Sequence, residues 1–295
     1  MREQFEGFGP LVSVIIPAYN EAAVIGRCLD NLLNGGGPSG LEIIVVCNGC
    51  SDNSAEIARR VGPPVRVIET DVPSKTNALN LGDAAATGFP RIYLDADVIL
   101  TGEAVGRLAA AVTEGGALAA APKPIDVFLP GTAWSVRAFY RLWTALPHIQ
   151  EGMIAAGAYA LSEKGRSRFD AFPDVIADDG FVRLLFEPHE RVQTADAFSQ
   201  VIAPLTLDFL LKIKTRGRLG VLQLREKFAD LTDREAKTKN YAAGIATLLS
   251  RPSLYLTTLP YAYVTVVSRR RALAQLDSLA KYTWERDDSS RDVKD

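Results

Sequence analysis

Histidine and cysteine are scarce in this 295-residue chain: His148 and His189 are its only histidines, and Cys28, Cys47 and Cys50 its only cysteines. Cys47 and Cys50 form a Cys-x-x-Cys, a spacing shared by redox pairs and zinc ligands. A tetrahedral zinc site needs two further ligands, and the two histidines are the only imidazoles that can supply them. Cys47 also follows an apolar, strand-like run from Leu41 to Val46, so the preferred reading is a buried or loop cysteine. An odd cysteine count without a disulfide framework points to a reducing compartment, and a cytoplasmic location is expected.

Long apolar segments are missing as well. Met1 to Pro10 carries charges and glycines where a secretory signal needs an apolar stretch, so none is expected. The nearest approach to a membrane span is Pro252 to Ser268, uncharged but interrupted by Pro260 and followed by Arg269, Arg270 and Arg271. It reads either as a C-terminal helix pair packed on the domain or as an interfacial segment. In the second case its apolar face enters the inner face of a membrane while the arginines meet anionic lipid. A formal net charge of -2 gives no reason to expect nucleic acid as a partner. A Walker A loop, a Gly-x-Ser-x-Gly elbow and a Gly-x-Gly-x-x-Gly after the first strand are all absent.

What is present is a regular alternation. Hydrophobic residues make up 47% of the chain, enough for a substantial core. Apolar runs at Val12 to Ile16, Leu41 to Val46, Val65 to Ile68, Arg91 to Leu94 and Leu118 to Ala121 read as strands. Helical spacing fills the intervals: Glu21 to Leu33, Ser51 to Val61, Ser74 to Ala86 and Glu103 to Val112. This pattern predicts an α/β fold with a mainly parallel sheet, whose ligands bind at the carboxyl ends of the strands. Further on, Gly131 to Leu146, Asp178 to Phe186 and Leu205 to Lys214 read as helices, Ile154 to Leu161 as strand, and the chain beyond Asp230 as helical with a polar tail from Glu285. One domain over residues 1–230 with a helical C-terminal appendage over 231–295 is the expected organisation.

Chemistry-bearing residues cluster just after the strands. Pro17-Ala18-Tyr19-Asn20-Glu21 is at its plainest a strand-to-helix turn, but it also sets Tyr19 at the lip of a crevice, where its ring can stack on a base. Asn48-Gly49-Cys50-Ser51-Asp52 is a capped turn in which Asn48 can donate and accept at a nucleobase edge. Lys75 opens a helix against the helix dipole, explained by an anionic ligand or by simple solvation. Asp95-Ala96-Asp97 is the only Asp-x-Asp in the chain. Carboxylates so close repel each other unless a cation or hydrogen bonds compensate, and Mg2+ or Mn2+ favours such oxygen ligands together with substrate phosphates. Asp178-Asp179-Gly180 reads as an N-cap pair or as a general base.

In this order the segments resemble family 2 glycosyltransferases of the GT-A fold. The resemblance runs from about Val12 to Arg218, through Val14 to Glu21, Asn48 to Ser54, Lys75 to Asn80, Leu94 to Asp97 and Asp178 to Gly180. It implies a three-layer sandwich. It places Pro17, Tyr19, Glu21, Asn48, Lys75 and Asp95 around a nucleotide sugar, and Asp97, with Asp95, on Mg2+ or Mn2+. It makes Asp179 the catalytic base of an inverting displacement, and sets Gly157, Ala158 and Asp178 on the acceptor side. The chain departs from the pattern in carrying Asn48-Gly49-Cys50 where many members have Asp-Gly-Ser, and Asp178-Asp179 where Glu-Asp is usual. Thr215-Arg216-Gly217-Arg218-Leu219 stands where processive synthases carry Gln-x-x-Arg-Trp, which implies one sugar per encounter. The expected partners are a nucleotide diphosphate sugar and a carbohydrate or lipid-linked acceptor, in cell-envelope polysaccharide or glycolipid synthesis. The competing expectations are a sugar nucleotidyltransferase, which should carry a Gly-rich phosphate loop after the first strand, and a non-catalytic sugar-nucleotide-binding scaffold.

Overall fold

The computed structural model describes residues 12–150, 156–236 and 241–276. Met1 to Pro10, Ile154 and the polar tail from Glu285 lie outside them. In chain order the elements are β1 (Val12–Ala18), α1 (Ile25–Leu33), β2 (Leu41–Asn48), α2 (Ser54–Val61), β3 (Val65–Thr70), α3 (Lys75–Ala85), β4 (Arg91–Leu94), β5 (Ile99–Leu100), α4 (Gly102–Thr113) and β6 (Ala119–Val127). There follow α5 (Trp134–Trp143), α6 (Pro147–Gln150), β7 (Ala158–Leu161), α7 (Glu163–Arg166), α8 (Asp178–Leu184), β8 (Arg191–Ile202), α9 (Leu207–Lys227), α10 (Ala229–Ala236), α11 (Tyr241–Ser250) and α12 (Tyr255–Leu276). The strands form one eight-stranded sheet in the order β3-β2-β1-β4-β7-β6-β8-β5.

Two compact units divide the chain. The first holds residues up to 124, 155–173 and 188–200; the second holds 125–154, 174–187 and 201 onward.

In the first unit, β3, β2, β1 and β4 run parallel, and β7 lies antiparallel to both β4 and β6. Every residue of β1 is buried, as expected of a central parallel strand covered on both faces. α3 packs on β1 and β2, while α4 packs against β7. Ser74 caps α3 by accepting the Asn77 N–H at 3.2 Å, and Thr101 caps α4 by accepting that of Ala104 at the same distance.

Several boundaries differ from the sequence reading. β1 continues through Pro17 to Ala18, so the proline does not end the strand. α1 starts at Ile25 rather than Glu21, because Asn20 takes a left-handed backbone (φ 54) and the Glu21 carbonyl opens the helix from outside, accepting the N–H groups of Val24 and Ile25. α2 starts at Ser54 rather than Ser51; ahead of it Asp52 accepts the Ala22 N–H of the other loop and the Ser54 N–H at the helix start. α9 runs thirteen residues past Lys214, to Lys227, with Gly217 and Gly220 inside it. β5 and β8 were not anticipated: the first is two residues long, and polar residues such as Gln193, Thr194 and Asp196 blur the alternation of the second.

A buried ionic node organises the first unit. Asp83 on α3 receives the Tyr93 hydroxyl at 2.5 Å, the Arg166 Nε at 2.9 Å and the Arg91 guanidinium at 2.6 Å. Burial alone favours the neutral acid, but the hydrogen bonds from Arg166, Tyr93 and Arg91 outweigh it and hold the Asp83 carboxyl below its ordinary range. Tyr93 stacks on Tyr159 at 5.0 Å and meets the edge of Phe172 at 5.1 Å, so the node is roofed by aromatic rings.

In the second unit, α12 packs along α9 and α5. Val136, Phe139, Tyr140, Leu210, Leu211 and Val264 form the shared core. Lys214 projects into this aromatic shell, with Nζ 4.0 Å from the Trp143 ring centre and 5.1 Å from those of Phe139 and Tyr140. Burial pushes the Lys214 amine down to about 8, opposed by the charge of Asp126, whose own carboxyl burial pushes up to about 6.

Asp83→Asn removes the only anion of a node that holds two arginines, so it is expected to destabilise the protein by about 3–5 kcal/mol in urea or thermal unfolding. The sign with pH follows from the depressed carboxyl. The wild type holds this increment above the unfolded carboxylate range and loses it as pH falls below about 4, whereas Asp83→Asn never has it. Equal unfolding midpoints for the two proteins at neutral pH would refute the role.

Candidate active site

β1 and β2 are paired in register from Val12 opposite Leu41 to Ala18 opposite Cys47, so both strands end at one level. The two loops that leave them are tied together. Asn48, buried, donates its Nδ2 to the Ala18 carbonyl at 2.9 Å, and the Cys50 thiol donates to the same carbonyl at 3.3 Å. The Asn20 side-chain oxygen accepts the N–H groups of Ser51 and Asp52, and Asp52 in turn accepts those of Ala22 and Ser54. The Ser54 hydroxyl accepts the Glu21 N–H at 2.7 Å, which fixes the half-buried turn carrying Glu21. Pro17 is buried within β1, while the Tyr19 ring stands 41% exposed beyond the strand end. Ser51, read from the sequence as the start of a helix, instead joins Asn20 and Asp52 in binding one loop to the other.

The third loop joins at Gly49. Its backbone is left-handed (φ 67), and a Cβ there would sit 3.0 Å from Pro73 Cβ. The chain before α3 therefore passes directly over this turn and delivers Lys75. Lys75 Nζ lies 2.8 Å from Asp95 Oδ1, just past the end of β4. A lysine that local helix electrostatics disfavours is thus accounted for by a carboxylate from another strand.

β7 closes the other side of Asp95. Ala158 pairs with Leu94, and the Gly157 carbonyl accepts the Asp95 N–H at 2.7 Å. Gly157 is left-handed (φ 75), and a Cβ on it would lie 2.5 Å from Val98 Cγ2 and 3.2 Å from Asp95 Oδ2. Only glycine lets the strand approach the acid so closely. The structure therefore gathers Lys75, Asp95, Gly157 and Ala158 at one point.

The acids leave an electrostatic mark. Burial pushes the Cys28 thiol in α1 up to about 12, and the charges of Asp97, Asp95 and Glu21 add to the rise against that of Arg27. Cys47 is likewise pushed up to about 12, by burial and by the neighbouring Cys50. All three cysteines are free thiols, as expected for buried or loop residues. Among the described residues no group of three or more His, Cys, Asp or Glu side chains holds a metal by itself. The donor set of Asp95 and Asp97 still fits Mg2+ or Mn2+, which commonly take one or two carboxylates and complete their shell with substrate phosphates.

Asp178 and Asp179 belong to the second unit, where they occupy the first turn of α8 behind an Ala177 cap. They are therefore not the cap itself. Asp178 is buried and Asp179 half-buried, with Asp179 Oδ1 accepting the Gly180 N–H at 2.7 Å. Gly220 of α9 seats this turn, since a Cβ there would fall 2.7 Å from that of Ala177. The Gln223 side chain accepts the Ile176 N–H at 2.8 Å and Lys227 donates to the Asp174 carbonyl at 2.7 Å. Gly220 and Gln223 went unnoticed in the sequence; the one available signal was a glycine within a helix that did not break.

Comparison with known proteins shows the family and the fold. The sequence model of glycosyl transferase family 2 matches residues 13–164, just over half of the chain. Glycosyltransferase AglE of Haloferax volcanii is 38% identical over 93 residues, 30% of this chain and 31% of its own. Chondroitin synthase of Pasteurella multocida is 35% identical over 99 residues, 32% of this chain and 10% of its own. The chain thus matches under a third of the length of either relative. Among solved structures, the mannosyltransferase PcManGT of Pyrobaculum calidifontis, in complex with GDP-Man and Mn2+, aligns with a TM-score of 0.64 at 20% identity over 91% of this chain and 87% of that one. Glucosyl-3-phosphoglycerate synthase of Mycobacterium tuberculosis, in complex with Mn2+, UDP and glucosyl-3-phosphoglycerate, aligns at 0.50 and 23% identity over 74% and 80%. The chain belongs to glycosyl transferase family 2 and has the GT-A fold.

Gly157→Ala must push against both Val98 and Asp95 in a backbone region that alanine resists. It is expected to cost about 1–3 kcal/mol of stability and to lower transferase activity beyond that loss, read by thermal unfolding and a turnover assay. Wild-type values for both would show that the close approach is dispensable.

Proposed function

We propose that this enzyme transfers a single sugar from a nucleotide diphosphate sugar to an acceptor hydroxyl, with inversion and with the help of Mg2+ or Mn2+. The observation that carries the reading is the convergence on Asp95: Lys75 from the α3 turn on one side, Gly157 from the β7 turn on the other, and Asp97 two residues on. The complexes of the two solved relatives, with GDP-Man and Mn2+ and with UDP and Mn2+, support such a donor.

Tyr19, Pro17 and Glu21 border the nucleotide. Asn48 contributes at the base through Oδ1 and its second Nδ2 hydrogen, the first being given to the Ala18 carbonyl. Lys75 turns its charge toward the phosphates, and Asp95 orients the ribose or a water. Asp97, with Asp95 beside it, holds Mg2+ or Mn2+, which when bound neutralises charge developing on the diphosphate. The acceptor oxygen attacks the anomeric carbon from the face opposite the diphosphate. Its proton passes to Asp179 as the new C–O bond forms and the bond to the diphosphate breaks. Asp178, Gly157 and Ala158 line the acceptor side. The lack of a Gln-x-x-Arg-Trp supports one sugar per encounter, and the chondroitin synthase relative supports a place in cell-envelope polysaccharide or glycolipid synthesis. Three free thiols fit a reducing, cytoplasmic setting.

Asp179→Asn is expected to lower turnover by about 10²–10⁴-fold while donor affinity stays at the wild-type value; full activity would overturn the base assignment. A thermal-shift series with UDP, GDP, dTDP and CDP sugars tests the metal. One nucleotide class should raise the wild-type midpoint with Mn2+ or Mg2+ but not with chelator, and Asp97→Ala should abolish the rise. Donor affinity indifferent to chelator would remove the metal from the reaction.

A further inference from the structure

The C-terminal helices carry a surface to which the proposed transfer assigns no residue. From Tyr241 to Gln275 the chain has no acidic residue, and its only charges are Arg251, Arg269, Arg270 and Arg271. A local charge of +4 therefore stands in a chain whose net charge is -2. Within this stretch α12 has two unlike faces. Thr257, Val264, Ser268 and Ala272 are buried, and the helix packs on α9 and α5. The Arg218 Nε donates to the Ser268 hydroxyl at 2.7 Å and holds that inner face in place.

The outer face is apolar. Leu256 and Leu259 are each 77% exposed, and Tyr263 and Val266 continue the same stripe at 52% and 47%. These positions fall three or four residues apart, so they line one side of the helix. At the end of the stripe come Arg269, Arg270 and Arg271, all exposed. On α11 nearby in sequence, Leu249 is 71% exposed. Among the described residues no helix is long and apolar enough to cross a membrane. A stripe of this kind lies in an interface rather than through it.

We propose that the outer face of α12 docks on the surface of an anionic lipid bilayer. Leu256, Leu259 and Val266 enter the acyl boundary, Tyr263 sits at headgroup depth, and Arg269 to Arg271 meet lipid phosphates. Charge decides between this occupant and a second copy of the chain. Two copies paired along α12 bring no acid to the three arginines, because the helix contains none. Anionic lipid supplies the missing charge, and tyrosine suits a boundary that is apolar on one side and wet on the other.

The test uses the full chain and extruded vesicles of phosphatidylcholine alone or with phosphatidylglycerol. Co-sedimentation is expected with the anionic vesicles and not with the neutral ones at low salt. Replacing Arg269, Arg270 and Arg271 together by Gln should weaken partitioning by about 10²-fold, and Leu259→Asp should abolish it. Both variants should keep the wild-type unfolding midpoint and the donor-induced thermal shift, which separates loss of docking from loss of fold or of the transferase site. Failure of the wild type to pellet, or undiminished pelleting of both variants, would overturn the proposal. So would concentration-dependent dimerisation in light scattering that Leu259→Asp removes, since the face would then belong to a second copy.

Discussion

The parallel register of β1 and β2 carries Ala18 alongside Cys47, so both strands release their chains at the same height. The ties between the two loops at the strand ends rely on that level edge. Asn48 can reach across to Ala18 only because the strands finish together. The Asn20 and Asp52 side chains then accept the Ser51 and Ala22 N–H groups of the opposite loop. A slip of one residue would turn each of these side chains to the wrong face of the sheet.

The two units bury charge in contrasting ways. At Asp83 the anion is surrounded by two guanidinium groups and a phenol, so burial is compensated and the carboxylate is favoured. At Lys214 compensation is weaker: aromatic faces and a distant carboxylate soften desolvation without cancelling it, and the amine is left easier to deprotonate. The first arrangement locks α3, β4 and α7 to one another. The second leaves a cation within an aromatic shell of α5 and α9.

Much of the first unit was legible in the sequence because its physics is local. Continuous β-branched runs marked β1 and β2, Ser74 announced α3, and an Asp-x-Asp straight after a buried strand marked the acids. The less legible features depend on distant partners. Nothing near Asn20 tells that its side chain will serve Ser51, so α1 was expected to begin too early. Asp83 and Arg166 are 83 residues apart, and neither stands in a motif. β8 was missed because polar residues dilute its alternation, and α9 was expected to end too soon because Gly220 is there to admit Ala177 rather than to stop a helix. Pairing of Lys75 with Asp95 lies between these extremes: each residue was singled out alone, but the ion pair between them needs the fold.

β4 spans only Arg91 to Leu94, yet its two ends differ in kind. Its entry is clamped, since Arg91 and Tyr93 are both bound to Asp83, while its exit releases Asp95 and Asp97 into the strand-end loops. The strand is held at both ends, at its entry by the buried ionic socket and at its exit by Lys75 and Gly157, which grip Asp95 from either side. The two anchors use different partners, so an exchange at the exit leaves the entry intact, and each end of the strand can be altered on its own.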